Sequence, residues 1–268
     1  MTETTRHDAW QAGESYDRYM GRWSRRLAPR FLDWLAAPED RDWLDVGCGT
    51  GALSSAILAA CRPRRLCAID PSAGFLAQAR ASVRDDRITF EVGDAQALAV
   101  DDASVDVVAS ALALNFVPDR AKALSEMRRV TRPGGIVGFY VWDYPGGGIG
   151  FMRAFWTAAA ALDPAAADLT EDRRFPFCTE TTLVAMVRDA GLVRIASTAI
   201  EAPTVFADFD DYWRPFTLGA GPAPGYCASL PADARERLRR RLDADLPRAA
   251  DGSIAMTARA WAVKATVP

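Results

Sequence analysis

The stretch Leu44-Asp45-Val46-Gly47-Cys48-Gly49-Thr50-Gly51 decides the fold, because a short apolar run ends there in a turn of alternating glycines. Residues 52–60 continue with apolar side chains at helical spacing, so the sequence predicts a strand, a tight turn and a helix in succession. Glycines in such a turn let a ligand approach the main chain closely. That ligand is either a phosphate at the helix N-terminus or a neutral or zwitterionic group. Gly47, Gly49 and Ala52 also satisfy the dinucleotide pattern GxGxxG/A, so the turn alone does not separate these ligands.

Outward from this turn, apolar runs and helical segments alternate along the chain. Strands are predicted at residues 66–70, 88–92, 105–110 and 136–142, and helices at residues 73–83, 121–130 and 179–190. Alternating strands and helices are joined by right-handed crossovers, which produce a mostly parallel sheet with helices on both faces. The sequence therefore predicts an α/β, doubly wound fold, and apolar runs at 192–200 and 255–267 predict two further strands.

Acidic residues follow the second and third predicted strands. Asp70 lies roughly 20 residues after Gly51, where a carboxylate can accept both hydroxyl protons of a ribose in NAD or in an adenosyl ligand. Ser72 already supplies the cap of the next helix, which leaves the carboxylate available. Asp94 and Ala95 separate the two cofactors, since an acidic side chain beside a backbone amide can read the adenine amine and a ring nitrogen.

Four segments together resemble the motifs of class I S-adenosylmethionine-dependent methyltransferases, namely Leu44–Gly51, Ala68–Ser72, Gly93–Leu98 and Arg132–Gly135. The chain is similar to the branch that contains the ubiquinone and menaquinone biosynthesis C-methyltransferases and many small-molecule methyltransferases. The resemblance implies a Rossmann-like, mostly parallel sheet of seven strands whose last strand is antiparallel. It also implies S-adenosyl-L-methionine as the cofactor and S-adenosyl-L-homocysteine as the product.

The resemblance further assigns residues to the parts of this cofactor. The Gly47–Gly51 loop is expected to face the methionine part, Asp70 to hold the ribose, and Asp94 with Ala95 to hold the adenine. Pro71 departs from the family, in which a side chain that packs on adenine is common at this position, so Ser72 or Phe75 is expected to make that contact. The full predicted cofactor-binding set is Tyr16, Tyr19, Arg22, Gly47, Cys48, Gly49, Gly51, Asp70, Pro71, Ser72, Asp94, Ala95 and Ala111.

The N-terminal members of this set lie on an amphipathic segment. Tyr16, Tyr19 and Arg22 fall roughly on one face of a predicted helix. In related enzymes such a helix closes over the cofactor, and a tyrosine or arginine there can meet its carboxylate. Simple packing of the helix on the sheet explains the same pattern equally well.

Three polar residues beyond the fourth and fifth predicted strands are the candidate catalytic residues. Asn115 hydrogen-bonds the cofactor, orients the acceptor or only stabilises a turn. Asp143 and Tyr144 either supply a general base or a contact to the acceptor, or they are a solvated carboxylate and an aromatic residue at the rim of the site. Methyl transfer from a sulfonium has an excellent leaving group, so proximity, alignment and exclusion of water lower much of the barrier. A base is needed only where the acceptor must first lose a proton.

Composition excludes several other kinds of protein. The 268 residues are 50% hydrophobic with a net charge of −3, which gives no long-range attraction for nucleic acid or an acidic membrane. The single histidine and five cysteines without a CxxC pair argue against a metal site and a disulfide framework. We expect a cytoplasmic protein without membrane insertion, a monomer or homodimer that acts on a small molecule. Segment 111–118 also lacks the Asp/Asn-Pro-Pro-Tyr/Phe motif of nucleobase-amine methyltransferases.

The domain organisation follows from this alternation and its interruptions. We expect a single domain over residues 1–268, with an N-terminal helical cover at 14–37 and a cofactor-binding core at 40–142. Inserts at 144–178 and 203–252 are expected to form a cap, and the segments 179–200 and 255–267 complete the sheet.

The two inserts carry a set of aromatic residues and a run of arginines. The aromatic residues are either an apolar acceptor pocket or cap core, and they are Phe151, Phe155, Trp156, Tyr212, Trp213 and Phe216. Leu238, Leu242 and Leu246 repeat every four residues within the arginine-rich run, which favours a helix docked by its leucines over a polyanion-binding patch.

Two other functions remain open at the level of sequence. An NAD-dependent oxidoreductase needs only Gly47, Gly49, Ala52 and Asp70, but it leaves Asp94 unexplained and lacks an evident Tyr-x-x-x-Lys pair. A cofactor-binding module without catalysis would keep the same motifs. We therefore expect a methyltransferase whose acceptor is a small, hydrophobic or aromatic molecule.

Overall fold

A seven-stranded sheet forms the centre of the protein in a computed structural model that describes residues 20–219 and 221–268. The strands are β1 (Asp42–Val46), β2 (Arg65–Asp70), β3 (Ile88–Val92), β4 (Val105–Ala111), β5 (Thr131–Trp142), β6 (Val193–Phe206) and β7 (Ile254–Thr266). Their order is β3-β2-β1-β4-β5-β7-β6. The first five pair in parallel, while β7 is antiparallel to both β5 and β6. The predicted doubly wound sheet with an antiparallel last strand is confirmed.

The predicted site residues Tyr16 and Tyr19 lie outside the described residues.

Helices flank the sheet and extend into the inserts. They are α1 (Arg22–Leu35), α2 (Ala52–Ala60), α3 (Ala73–Ser82), α4 (Arg120–Val130), α5 (Gly150–Leu162), α6 (Glu171–Arg174), α7 (Glu180–Asp189), α8 (Phe209–Trp213), α9 (Pro222–Ser229) and α10 (Ala232–Asp245). Single 3-10 turns cover Leu114–Phe116, Pro164–Leu169 and Arg214–Leu218. The helices predicted after the glycine turn and after β2 lie within one residue of their expected bounds.

Two apolar cores cover the two faces of the sheet. On one face Phe31 of α1 and Ile57 of α2 pack with the helices of the inserts. On the other face Leu124 of α4 and Leu183 of α7 pack against β4 and β5. Every residue of β1 is buried, as a central parallel strand requires when helices cover both of its faces. This arrangement holds the carboxyl ends of the parallel strands at one edge of the sheet.

Two strands are longer than the sequence predicts. β6 continues through Pro203 to Phe206, because β6 is the edge strand of the sheet and a proline there leaves no ladder hydrogen bond unmade. β5 begins at Thr131, so the predicted turn Arg132–Gly135 is an irregular start of the strand where the register with β4 shifts. Gly135 is needed there, since a Cβ would lie 2.7 Å from the carbonyl oxygen of Asp106.

Four of the six aromatic residues singled out in the inserts form core rather than a wall of an open pocket. The rings of Phe155 and Phe216 stack with centroids 4.4 Å apart, and the Tyr212 hydroxyl donates a 2.9 Å hydrogen bond to the carbonyl of Phe151. All four are at most 1% exposed. The acceptor-pocket interpretation is wrong for these four residues, because their rings are already covered by one another.

The arginine-rich run is the amphipathic helix α10. Leu238 and Leu242 are buried against the insert core, and Leu246 follows directly after the helix. Arg237, Arg240 and Arg241 are exposed and pair with acidic residues one turn away, as in Arg237 with Asp233 at 2.7 Å, while Arg239 pairs with Asp210 of α8. The predicted leucine-docked helix is confirmed.

Candidate functional site

A cavity of about 500 Å³ opens at the carboxyl ends of β1, β2, β3 and β4. This is the edge at which doubly wound sheets bind ligands, because the strand order changes direction there. Its predicted lining residues are Gly47, Cys48, Gly49, Asp70, Pro71, Ser72, Phe75, Asp94, Ala95 and Ala111. Together with the segment 112–118, which lines the opposite wall, they define the glycine-loop cavity.

The glycine turn brings bare main chain to this cavity. Gly47 has a φ of +73°, and a Cβ on it would lie 2.4 Å from the Cβ of Ala113. Both the backbone conformation and the contact exclude other residues. Gly51 does not line the cavity, but its φ of +88° lets α2 begin immediately after the turn. The first turn of α2 therefore presents its N-terminal end near the ligand space.

The carboxylate of Asp70 is held rigidly at the end of β2. One oxygen accepts a 2.9 Å hydrogen bond from the Gly49 N–H, and the other accepts a 2.8 Å bond from the Ser72 N–H. Ser72 itself caps α3 through its hydroxyl, as predicted. Burial raises the pKa of Asp70, while the two N–H groups oppose the rise. Each oxygen keeps a second lone pair, so the group can accept two more hydrogen bonds from a ligand.

Asp94 is fixed in a similar way at the end of β3. Its carboxylate accepts hydrogen bonds from the main-chain N–H of Gln96 at 2.8 Å and from the Gln96 side-chain amide at 3.1 Å. The side-chain oxygen of Gln96 in turn accepts from the N–H of Asp119, which caps α4. This chain of bonds orients an exposed carboxylate beside Ala95 on the cavity wall.

The electrostatic character of the glycine-loop cavity is acidic. Asp45 lies beneath the loop, fully buried, where it accepts a 2.6 Å hydrogen bond from the Ser54 hydroxyl. Burial raises the pKa of Asp45 to about 7. Burial also raises the pKa of the Cys48 thiol, with Asp45 and Asp70 acting in the same direction, so the thiol stays neutral. Among the described residues that line the cavity there is no lysine, arginine or histidine.

Among residues 20–219 and 221–268, the other predicted site residues do not line this cavity. Arg22 pairs with Asp211 at 2.9 Å, and its guanidinium lies 4.3 Å from the ring centroid of Trp23 and 4.6 Å from that of Phe206. Asn115 is 2% exposed, and neither atom of its amide has a hydrogen-bond partner within the described chain. Arg22 therefore contacts Asp211 and Phe206 rather than the glycine-loop cavity.

The two candidates after β5 face other surroundings. Asp143 is buried, accepts a 2.7 Å hydrogen bond from Nε of Arg259, and accepts a 3.0 Å bond from the Gly146 N–H. Tyr144 packs on Phe175, with ring centroids 5.1 Å apart, and lines separate cavities beside the glycine-loop cavity. Asp143 therefore anchors the turn that follows β5.

Sequence reasoning missed several residues on the walls of the glycine-loop cavity. Ser24 is the residue through which α1 reaches it, and Tyr140 of β5 and Leu112 also line it. Leu112 has a φ of +57°, a conformation that a leucine adopts only when its surroundings impose it. Helical spacing in 14–37 predicted a helix that covers the sheet, but no local pattern identified Ser24 as its side chain that lines the cavity.

The described parts of the chain show neither a membrane span nor a metal centre. Within residues 20–219 and 221–268, no helix combines the length and the apolarity needed to cross a bilayer. Across those same residues, no cluster of three or more histidine, cysteine or acidic side chains is placed to hold a metal ion.

Comparison with known sequences identifies the segment that builds this cavity. Residues 44–139 match the methyltransferase domain family. A malonyl-[acyl-carrier protein] O-methyltransferase of Pectobacterium atrosepticum is 36% identical over 129 residues, which are 48% of this chain and 49% of that protein. The chain thus matches about half the length of this curated relative.

Solved structures share the fold over most of the chain. One is described as a candidate methyltransferase from an antibiotic biosynthesis pathway of Anabaena variabilis, with a TM-score of 0.62, 20% identity, and coverage of 91% of this chain and 99% of that one. Another is phosphoethanolamine N-methyltransferase 2 of Haemonchus contortus, in complex with phosphomonomethylethanolamine and S-adenosylhomocysteine. Its TM-score is 0.58 at 17% identity, and the match covers 96% of this chain and 57% of that one. The match over residues 44–139 and the shared fold support the predicted resemblance to class I S-adenosylmethionine-dependent methyltransferases.

Proposed function

We propose that this protein transfers a methyl group from S-adenosylmethionine to a small molecule with an apolar or aromatic body. The observation that carries the proposal is the carboxylate of Asp70, oriented by Gly49 and Ser72 in a cavity without a cationic side chain among its described lining residues. Such a group accepts the two hydroxyl protons of a ribose. The surrounding acidic potential favours a ligand that carries positive charge.

The cofactor-binding residues fit the parts of this molecule. Gly47 and Gly49 leave main-chain atoms accessible to the methionine part, and Asp94 with the N–H of Ala95 reads the adenine edge. Pro71 and Phe75 line the same cavity and supply apolar surface for the adenine ring. When bound, S-adenosylmethionine supplies an electrophilic methyl group on a sulfonium with an excellent leaving group.

The charge of the cavity favours this cofactor over NAD. The pyrophosphate of NAD brings two negative charges to the glycine turn, where the Asp70 carboxylate lies and no described lining residue is a lysine or arginine. A sulfonium brings a positive charge instead, which this carboxylate attracts. An oxidoreductase therefore has less support than a methyltransferase.

The acceptor side lies on the wall formed by the segment after β4. Leu112 and Phe116 line the glycine-loop cavity there and also border a smaller apolar space beyond it. Tyr144 borders that space and is our proposed acceptor contact, while Asp143 positions the turn on which Tyr144 lies. Asn115, between Leu112 and Phe116 on the same turn, is proposed to orient the acceptor or the cofactor once they are bound. These groups bind and align the acceptor and exclude water from it.

The names of two similar proteins indicate other kinds of acceptor. One name specifies a malonyl group on a carrier protein, and the other specifies phosphoethanolamine. Both acceptors carry negative charge. The smaller space beyond Leu112 is lined by apolar side chains and a glutamate. We therefore propose an uncharged or weakly polar acceptor for this chain rather than either of those.

Calorimetric titration tests the cofactor assignment. We expect the protein to bind S-adenosylmethionine and S-adenosylhomocysteine with micromolar dissociation constants, about −8 kcal/mol, and not to bind NADH. Asp70→Ala and Asp94→Ala should each weaken binding at least tenfold, whereas Asp101→Ala, an exposed aspartate outside the cavity lining, should not. Binding of NADH alone would overturn the proposal. Cofactor binding without S-adenosylhomocysteine formation from any apolar or aromatic acceptor would instead indicate a binding module.

A further inference from the structure

Two more cavities lie in sequence beyond the glycine-loop cavity. The first, of about 20 Å³, shares Leu112 and Phe116 with the glycine-loop cavity, and we call it the neck. The second, of about 240 Å³, shares Tyr144, Met152 and Glu171 with the neck, and we call it the side cavity. These shared side chains place the three cavities next to one another, from the proposed cofactor site toward the inserts.

The walls of the neck are apolar with one exception. Its lining residues are Met20, Leu112, Phe116, Trp142, Tyr144, Met152, Glu171, Phe175 and Pro222. Methionine side chains such as Met20 and Met152 are unbranched and adapt readily to the shape of a ligand. An apolar molecule can therefore occupy the neck by displacing flexible side chains, and it then meets the single carboxyl group.

Glu171 is this carboxyl group, the first residue of α6. It is 4% exposed, and one of its oxygens accepts a 2.5 Å hydrogen bond from the indole N–H of Trp156. Its other oxygen is buried and has no hydrogen-bond partner within the described residues. A buried polar atom left without a partner costs free energy, so a bound molecule that donates a hydrogen bond there is stabilised. Glu171 lines the neck and the side cavity together, at the point where they meet.

We propose that the neck and the side cavity form the acceptor-binding site, and that Glu171 determines specificity by accepting a hydrogen bond from a hydroxyl or amine on an otherwise apolar acceptor. This inference rests on the proposed methyltransferase function, since it identifies the class of acceptor for that reaction. Trp156 has a positioning role, because its N–H occupies one oxygen of Glu171 and directs the other toward the ligand space.

The charges around Glu171 agree with this role. Burial raises the pKa of Glu171 to about 7, the main-chain N–H of Glu171 and the Trp156 N–H oppose the rise, and the nearby Asp172 acts in the same direction as burial. Asp172 and Arg153 also line the side cavity, but both side chains lie on its exposed side. Water screens their charges there, so Glu171 is the polar group that an apolar molecule meets inside the site.

Matched binding probes test the proposal without any need for turnover. We would measure dissociation constants of 2-naphthol, 2-naphthylamine and 2-methoxynaphthalene, all mainly uncharged, by equilibrium dialysis at about pH 8, where Glu171 is mainly ionised, with and without saturating S-adenosylhomocysteine. The methoxy compound has the same rings as 2-naphthol but donates no hydrogen bond. We expect the wild-type protein to bind at least one of the two donor compounds roughly tenfold more tightly than the methoxy compound.

The variant Glu171→Gln provides a readout that a structural role would not give. The carbonyl oxygen of the glutamine must face the Trp156 N–H, so its NH₂ group takes the place of the free carboxylate oxygen. We expect this variant to lose the preference for the donor compound, or to prefer the methoxy compound, with unchanged thermal stability. The control Asp172→Asn removes the neighbouring charge and should keep the wild-type preference.

The outcomes distinguish this proposal from the function on which it rests. A wild-type protein that binds the methoxy compound and both donor compounds equally, or none of the three at millimolar concentration, would overturn the role of Glu171. So would a Glu171→Gln variant that retains the full preference. Failure of S-adenosylhomocysteine to bind in calorimetry would instead overturn the proposed function, because the probe preference is also measured in its absence.

Discussion

At the scale of single residues, the contact between Gly47 and Ala113 joins the glycine turn to the segment after β4. These two segments form opposite walls of the glycine-loop cavity, and a Cβ at position 47 would lie 2.4 Å from the Cβ of Ala113. The turn and the segment after β4 are therefore in van der Waals contact. A side chain on Gly47 must push one wall away from the other.

Gly47→Ala is expected to destabilise the protein for two separable reasons. The φ of +73° costs an alanine about 1–2 kcal/mol, and overpacking against Ala113 costs a further amount of about 1–3 kcal/mol. Ala113→Gly removes the contact but not the backbone strain. Urea unfolding of both single variants and the double variant measures the two contributions as a double-mutant cycle.

The expected result of this cycle is a favourable coupling. The double variant Gly47→Ala/Ala113→Gly should be more stable than the sum of the single changes predicts, by about 1–3 kcal/mol. Strictly additive effects would show that Ala113 does not restrict the turn. The destabilisation that remains in the double variant measures the cost of the left-handed backbone at position 47.

At the scale of secondary structure elements, α10 shows how charge and packing divide between the faces of one helix. Leu238 and Leu242 are 1% exposed and belong to the insert core. On the outer face Arg240 pairs with Glu236 at 2.9 Å, and its side chain is 76% exposed. Burial of the leucines stabilises the helix on the protein, whereas exposed ion pairs contribute little.

Substitutions on the two faces of α10 should therefore differ sharply. We expect Leu242→Ala to lower the free energy of unfolding by about 2–5 kcal/mol, because it leaves a cavity in the core. Arg240→Ala should change it by less than about 0.5 kcal/mol. Denaturant unfolding of the two variants measures this difference. Equal effects would mean that Arg240 contributes as much as Leu242 to holding α10 in place.

At the scale of the whole molecule, buried acids make stability depend on pH. Asp45 and Glu171 are both fully enclosed, and burial raises the pKa of each to about 7. In the unfolded chain a carboxyl group titrates near pH 4. The folded protein therefore binds more protons than the unfolded chain between about pH 4 and pH 7. Stability contributed by these protons is present at low pH and is lost as the pH rises through 7.

Asp45→Asn should reduce this pH dependence. Between pH 5.5 and pH 8 we expect the free energy of unfolding of the wild-type protein to fall by about 2 kcal/mol more than that of the variant. The asparagine oxygen can still accept the hydrogen bond of the Ser54 hydroxyl, so the local structure is retained. Urea unfolding at the two pH values measures the difference. Identical pH profiles would show that Asp45 is ionised throughout.

Much of the core of the fold could be predicted from local patterns. The glycine turn, the period of the apolar residues and the acidic residues after β2 and β3 all act within a few residues of the chain. The order of strands and helices predicted for residues 40–142 is accordingly correct, and the helix at 52–60 has the predicted bounds. The errors in this core lie where a distant partner matters. Thr131–Gly135 joins the sheet because β4 and β7 lie on both sides of it.

In the candidate site, too, some features follow from local sequence and others depend on distant contacts. The sequence by itself determined that Gly47, Asp70 and Asp94 line one cavity, because their places at the ends of parallel strands bring them to the same edge of the sheet. Only the tertiary structure decided that the aromatic residues of the inserts cover one another and that Arg22 meets Asp211. It also decided that Glu171 lies beside Trp156 at the end of the neck. Such contacts join residues that no local spacing relates, since they depend on how helices of the inserts pack over the finished sheet.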